Sequence, residues 1–230
     1  MQGTISRVFG SSLLIAGVAL TTSTLIANPA QAFIVNFGAN SESSNTPATG
    51  SSATIDFNFT NVMGGVKLDL LVTNTTGQVP SFGAGATESS LMRFVFDVPD
   101  AVTNVSLIDD GIFTTFIFNS NNIAETPFSN NGASFGAFNG GFDVELSRGG
   151  NPNNALTEGN STLVSLLLSS ASNAASLEQL FFDGIFADDP TDPDEALRVA
   201  TRFQAVNGGS NNGASDKLLQ EPGGDDEVGG

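Results

Sequence analysis

The sequence predicts an all-β protein, an antiparallel two-sheet β-sandwich with one short helix, and three observations carry that prediction. Apolar and polar residues alternate along many short runs, as in strands with one wet and one packed face. Gly, Asn, Asp and Pro clusters separate about eight to ten such runs at the spacing expected of a sandwich. The aromatic content is 19 Phe with no Tyr and no Trp, and Phe, lacking a polar tip, belongs in a core. A jelly roll is the neighbouring arrangement, and strand order is not legible in the sequence.

The first 32 residues read as a secretory signal peptide. Arg7 supplies a basic start, Leu13 to Leu20 a short apolar run, and Ala30-Gln31-Ala32 a small-residue cleavage site. The apolar run is too short and too interrupted by Thr and Ser to cross ~30 Å of hydrocarbon, so no membrane span is expected after cleavage. The sandwich domain is expected over residues 33–206 and a disordered Gly- and acid-rich tail over 207–230.

Phe33 to Phe37 forms a first strand with Phe33, Val35 and Phe37 on one face, and Asn40 to Ser52 is a loop rich in Ser, Thr, Asn, Gly and Pro. Thr54 to Gly77 is the strongest local signal. Ile55, Phe57 and Phe59 share one face of its first run and Val66, Leu68, Leu70 and Val72 one face of the second, joined by Gly64-Gly65, the pair a tight hairpin favours. Asp56, Asn58, Lys67, Asp69 and Thr73 face out.

After a Gly-bearing loop over Val79 to Ser90, Leu91 to Val98 is a strand with Met92, Phe94, Phe96 and Val98 on one face and Arg93, Val95 and Asp97 on the other. Val102 to Ile108 and Ile112 to Phe118 flank Asp109-Asp110-Gly111 and predict a second hairpin. Asn119 to Gly141 is an irregular excursion or holds one weak strand near Ala133 to Phe138. Phe142 to Leu146 is a strand with Asp143 and Glu145 outward, and Arg148 to Asn160 is loop. Ser161 to Ser169, apolar on both faces, is a central strand, with a short buried helix as the alternative. Ser176 to Phe182 predicts one short helix, with Gln179 three residues after Ser176 in a capping-box pattern. Leu197 to Val206 is the expected last strand, with Leu197, Val199, Thr201, Phe203 and Ala205 inward and Arg198, Arg202 and Gln204 outward.

Composition narrows the chemistry. The chain has 24 Asp+Glu against 7 Lys+Arg, a net charge of −17, so nucleic acid and anionic lipid are repelled and cations are the favoured partners. There is no Cys, which removes disulfide and thiolate chemistry, and no His, which removes the usual general base and zinc ligand. Without Tyr or Trp the chain is poorly equipped to stack a sugar ring. No enzymatic activity is expected. Asp143 with Glu145, and Asp109 with Asp110, are the carboxylate pairs that a glycosidase would need, and both read more simply as solvent-facing polarity.

The densest acidic stretch is Asp188-Asp189-Pro190-Thr191-Asp192-Pro193-Asp194-Glu195. Calcium takes six to eight hard oxygen ligands, and Asp188, Asp189, Asp192, Asp194 and Glu195 in a Pro-stiffened loop are the candidate set. A solvated acidic loop is the simpler reading, since the glycine and the terminal acid of an EF-hand are missing.

Four segments, TNTTG (Thr73 to Gly77), FGAGATES (Phe82 to Ser89), ATRFQAVNGG (Ala200 to Gly209) and SDKLL (Ser215 to Leu219), resemble exported bacterial proteins of the PEP-CTERM group, especially those of cyanobacteria. Members of that group end in Pro-Glu-Pro, an apolar helix and a basic cluster that sort and anchor them. Here Glu221-Pro222 is preceded by Gln220 and followed by GGDDEVGG, so free release is expected. The resemblance implies a surface or extracellular-matrix role in a Gram-negative bacterium, with matrix polysaccharide or protein as partner. The function expected is therefore that of an exported, non-enzymatic structural or interaction protein; a calcium-dependent or glycan-binding adhesion module is the alternative.

Overall fold

The computed structural model describes residues 32–123, 141–187, 196–207 and 214–220, with the backbone alone at 119–123. The expected signal peptide, and the weak strand near Ala133 to Phe138, lie outside the described residues.

The chain is an all-β, two-sheet antiparallel sandwich with one α-helix. The first sheet has the order β1-β2-β3-β9-β5, built from Phe33–Phe37, Ala53–Val62, Gly65–Asn74, Ser161–Ser170 and Val102–Asp109. The second has the order β11-β10-β4-β7-β6, from Ala214–Leu219, Val199–Val206, Ser90–Phe96, Phe142–Ser147 and Thr115–Ile123; the two-residue β8, Leu156–Thr157, pairs with β4. All the pairings are antiparallel.

The hairpin β2–β3 has the expected faces. Its inward Ile55, Phe57, Phe59, Val66, Leu68, Leu70 and Val72 are buried, and it turns at Gly64 and Gly65, with φ of 96° and 152°. Gly65 is required for space as well, because a Cβ there would collide with the Leu168 carbonyl oxygen on β9. Central β9 lies between β3 and β5, and it faces the core with the fully buried Val164, Leu166 and Leu168, whereas Leu163 on its other face is exposed.

Phe rings fill the space between the sheets. Phe33 stacks on Phe57 at 5.0 Å between centroids, and Phe94 meets Phe113 edge-on at 5.2 Å. The helix α1, Ala174–Ile185, closes one end by placing the fully buried Phe181 at 5.1 Å from Phe59 and 6.2 Å from Phe57. Its N-cap is Asn173, whose side chain accepts from the Ser176 N–H at 2.9 Å; Ser176 sits inside the first turn, and Gln179 donates to Asp183. The expected capping box at Ser176 does not form: the helix starts earlier, at Ala174, and Asn173 supplies the side-chain oxygen that caps it. At the other end, a Cβ on Gly184 would lie 2.6 Å from the Leu197 side chain, so glycine lets the helix approach β10's entry.

Other expectations are corrected as well. The runs flanking Asp109-Asp110-Gly111 do not pair: β5 joins β9 in the first sheet and β6 joins β7 in the second. The turn itself forms, with the Gly111 N–H donating to Asp109 Oδ1 at 2.9 Å, but it carries the chain across the core and drives Phe113 into it, fully buried. Local turn chemistry specified the bend, while long-range burial chose the partners.

Met92 does not face inward with Phe94 and Phe96. The register between β4 and β10 shifts between Arg202↔Arg93 and Phe203↔Leu91, leaving Met92 as a bulge and putting Leu91 in the core. A second bulge, on β10, holds Ala205 at φ 53° and exposes it, so Val206 takes the inward place.

The chain does not end its fold at Val206. Ala214–Leu219 forms the edge strand β11, and Leu218 is fully buried in the core. Asp216, without solvent exposure, holds β11 to the loop before β2. Its Oδ2 accepts from the Thr49 N–H at 3.0 Å and from Thr49 Oγ1 at 2.6 Å. Its Oδ1 accepts from Ser43 Oγ at 2.8 Å and Asn45 Nδ2 at 2.9 Å.

Two asparagines act as staples between loops. Asn74 Nδ2 donates to the carbonyls of Ser89 at 3.0 Å and Leu156 at 2.9 Å. Asn207 Oδ1 accepts from the N–H groups of Thr87 and Glu88 at 2.8 and 2.7 Å.

Candidate functional site

The five residues of the expected calcium loop, Asp188, Asp189, Asp192, Asp194 and Glu195, all lie outside the described residues, in the connection between α1 and Leu197. Among the described residues no group of three or more His, Cys, Asp or Glu is placed to hold a metal ion.

The carboxylates that sequence alternation turned toward water are instead committed to the second sheet. β7 is buried at every position, with Asp143 and Glu145 only 5 and 4 % exposed. Asp143 Oδ2 accepts from the Val98 N–H at 2.9 Å, extending the edge of β4, and Glu145 Oε1 pairs with Arg93 Nη2 at 3.0 Å. Alternation identifies the face away from the core but not whether that face is wet, and the long Arg stems of β4 and β10 cover their neighbours.

Arg198, expected to be outward, and Asp97 form a buried ion pair. Arg198 Nε lies 2.7 Å from Asp97 Oδ2, the Arg198 backbone N–H donates to the same oxygen at 3.0 Å, and Arg198 Nη2 reaches the Gly141 carbonyl at 3.0 Å. The guanidinium also lies over the Phe142 ring, 4.8 Å from its centroid. Burial raises the Asp97 carboxyl to about 6, outweighing the opposing pull of Arg198.

The feature that sequence reading missed is basic. Lys217 on β11 stands directly opposite Arg202 on β10, and Arg202 directly opposite Arg93 on β4, so three cations lie in one row across three strands on the face away from the core. The row continues to Ser147 on β7, and Arg148 follows it, half-buried, with its Nη1 donating to the Ile112 carbonyl at 3.2 Å. Arg93, Arg148 and Arg202 line a cleft of about 170 Å³, to which Met92, Ser147, Gly149, Gly150 and Gln204 also contribute. The Met92 bulge helps to open it, since the residue that the strand pattern assigned to the core is at the cleft instead.

Burial lowers the proton affinity of all three cations in the row. For Arg93 the Glu145 charge opposes that effect and Arg202 adds to it; for Lys217 the Arg202 charge adds to it; for Arg202 burial alone is the cause. The Arg93 Nη1 is buried with no hydrogen-bond partner, and Arg202 Nε makes one long bond, 3.3 Å, to Ser215 Oγ. A row of like charges short of acceptors can hold an anion by charge-assisted hydrogen bonds. In sequence these residues are isolated positives in an acidic chain, with more than a hundred positions between Arg93 and Arg202, and no local pattern could have grouped them.

No protein-family model, no curated protein and no solved structure matches this chain.

Proposed function

We propose that the chain is an exported, non-enzymatic structural or interaction protein of the cell surface or extracellular matrix. The observation that carries this reading is the use made of the buried carboxylates. Asp97, Asp143, Glu145 and Asp216 each accept hydrogen bonds or an ion pair that joins one strand or loop to another, so the acids that a hydrolase would need are spent on the fold. The chain's lack of His and Cys supports the same reading, as does its leader-like first 32 residues. Among the described residues no helix is long and apolar enough to cross a membrane.

The test is retention on a panel of matrix polysaccharides, measured by co-sedimentation alongside release of reducing ends. Retention without release is the expected result, and turnover of any of them overturns the reading.

The second reading, a calcium-dependent or glycan-binding adhesion module, rests on the acidic stretch Asp188 to Glu195. It requires melting temperature to rise with calcium after chelator treatment, because an ion that binds the native state preferentially stabilises it. Asp192→Asn with Asp194→Asn should abolish that rise. An unchanged melting temperature at millimolar calcium removes this alternative.

A further inference from the structure

The chain carries 24 acids and 7 bases, yet three of the bases, Arg93, Arg148 and Arg202, line one cleft and a fourth, Lys217, stands opposite Arg202 on the next strand. Lys67 is answered by Asp69 at 2.6 Å and Arg198 by Asp97 at 2.7 Å. Around the cleft the pattern breaks. Among the described residues, Glu145 is the one carboxylate paired there, and it takes Arg93 Nη2; Arg148, Arg202 and Lys217 have no carboxylate within ion-pair distance. Like charges directly opposite on neighbouring strands destabilise a sheet, and a chain with this surplus of acids had ample means to avoid such a row.

We propose that the cleft lined by Arg93, Arg148 and Arg202, with Lys217 opposite Arg202 on the next strand, is a binding site for a single oxyanion, a carboxylate, sulfate or phosphate group, either free or carried as an isolated substituent on a sugar. The buried Arg93 Nη1 lacks an acceptor that such a group supplies. Arginine presents a planar fork of donors suited to two oxygens of one anion, and Lys217 adds a point charge from the next strand but one. The exposed Gly149-Gly150 backbone and Gln204 at the rim can meet neutral hydroxyls beside the anion. One group fits better than a polyanion, because a net charge of −17 repels a long run of negative charge while a local row of cations still attracts one. This inference stands apart from the proposed function, since it concerns one site and holds whether or not the chain serves a matrix.

The experiment follows the arginine Nε–Hε signals by NMR while the purified chain is titrated with sulfate, phosphate, glucuronate or glucose at constant ionic strength. The expected result is a saturable shift of the Arg93 and Arg202 signals with at least one of the three anions and none with glucose. Saturation by glucuronate at the lowest concentration identifies a sugar acid as the source, and saturation by sulfate or phosphate alone identifies a free tetrahedral ion. Arg202→Gln should weaken binding at least about tenfold, the order expected for one charge-assisted contact, read from the remaining Arg93 signal, while Lys67→Gln on the other sheet leaves it unchanged. Arg148→Gln, also in the cleft lining, is the second variant if Arg202→Gln does not fold. Absence of saturation up to about 100 mM anion, or equal affinity in the folded cleft variants and the wild type, overturns the proposal.

Discussion

Asp216→Ala tests whether the C-terminal strand belongs to the fold. Its carboxylate, without solvent exposure, receives the Thr49 N–H and hydroxyl on one oxygen and the Ser43 hydroxyl and Asn45 amide on the other. Not all of these donors are stranded by the substitution. Asn45 Nδ2 keeps the Ser215 carbonyl at 3.0 Å, the Lys217 N–H keeps Ser44 Oγ at 3.0 Å, and the Ser43 hydroxyl can rotate. The Thr49 N–H loses its acceptor outright, and one unsatisfied buried donor costs about 1–3 kcal/mol. Loss of the short bond from the Thr49 hydroxyl to a charged oxygen adds about 1.5–3 kcal/mol, partly offset because Ser51 Oγ stands 3.0 Å from that hydroxyl and because a buried charge is removed. The net expectation is a loss of about 3 kcal/mol. With a urea slope of about 2 kcal/mol/M that moves the unfolding midpoint down by about 1.5 M. Asp216→Asn should cost at least half as much, since its amide must point a donor at other donors. Hydrogen exchange gives an independent reading, with protection lost first at the Thr49 amide. A midpoint shift below about 0.5 M for Asp216→Ala would refute the reasoning and return residues 214–220 to the status of a loosely held tail.

Two further expectations concern the pair Asp97–Arg198 and the Phe core. The Asp97 carboxyl is raised from 3.8 to about 6, so between those values the folded chain holds a proton that the unfolded chain has released, and stability falls as pH rises through the window. The full effect is of the order of 3 kcal/mol, and it should be read as the difference between wild type and Asp97→Asn, in which the other carboxylates cancel. A difference that stays flat, or that favours wild type increasingly as pH rises from about 4 to about 6.5, contradicts the assignment. Phe181→Ala removes a fully buried ring between Phe57 and Phe59 and should cost about 3–5 kcal/mol, whereas Phe182→Ala, at a partly buried position, should cost clearly less. Denaturant midpoints decide this, and equal losses at the two positions would mean that α1 does not close the core through Phe181.

The sequence by itself determined the fold class, the β1 and β2–β3 faces, the central place of β9 and the Phe content of the core. Those features depend on neighbours two residues apart and on turns a few residues long, and side-chain alternation and glycine chemistry express them locally. Only the tertiary structure decided the rest. The Asp109-Gly111 turn forms as its residues dictate, but whether its flanks pair depends on which sheet buries Val105 and which buries Phe113. The bulges at Met92 and Ala205 reverse the facing of single residues, and nothing in a two-residue period signals an added one. β11 is short, polar at its start and held by Asp216 to residues more than 160 positions earlier, so composition alone made it look like tail. The basic row has the same origin. Arg93, Arg202 and Lys217 become neighbours because β4, β10 and β11 pair in that order, and strand pairing between distant segments is set by the burial of the whole core rather than by any stretch of chain that carries the charges.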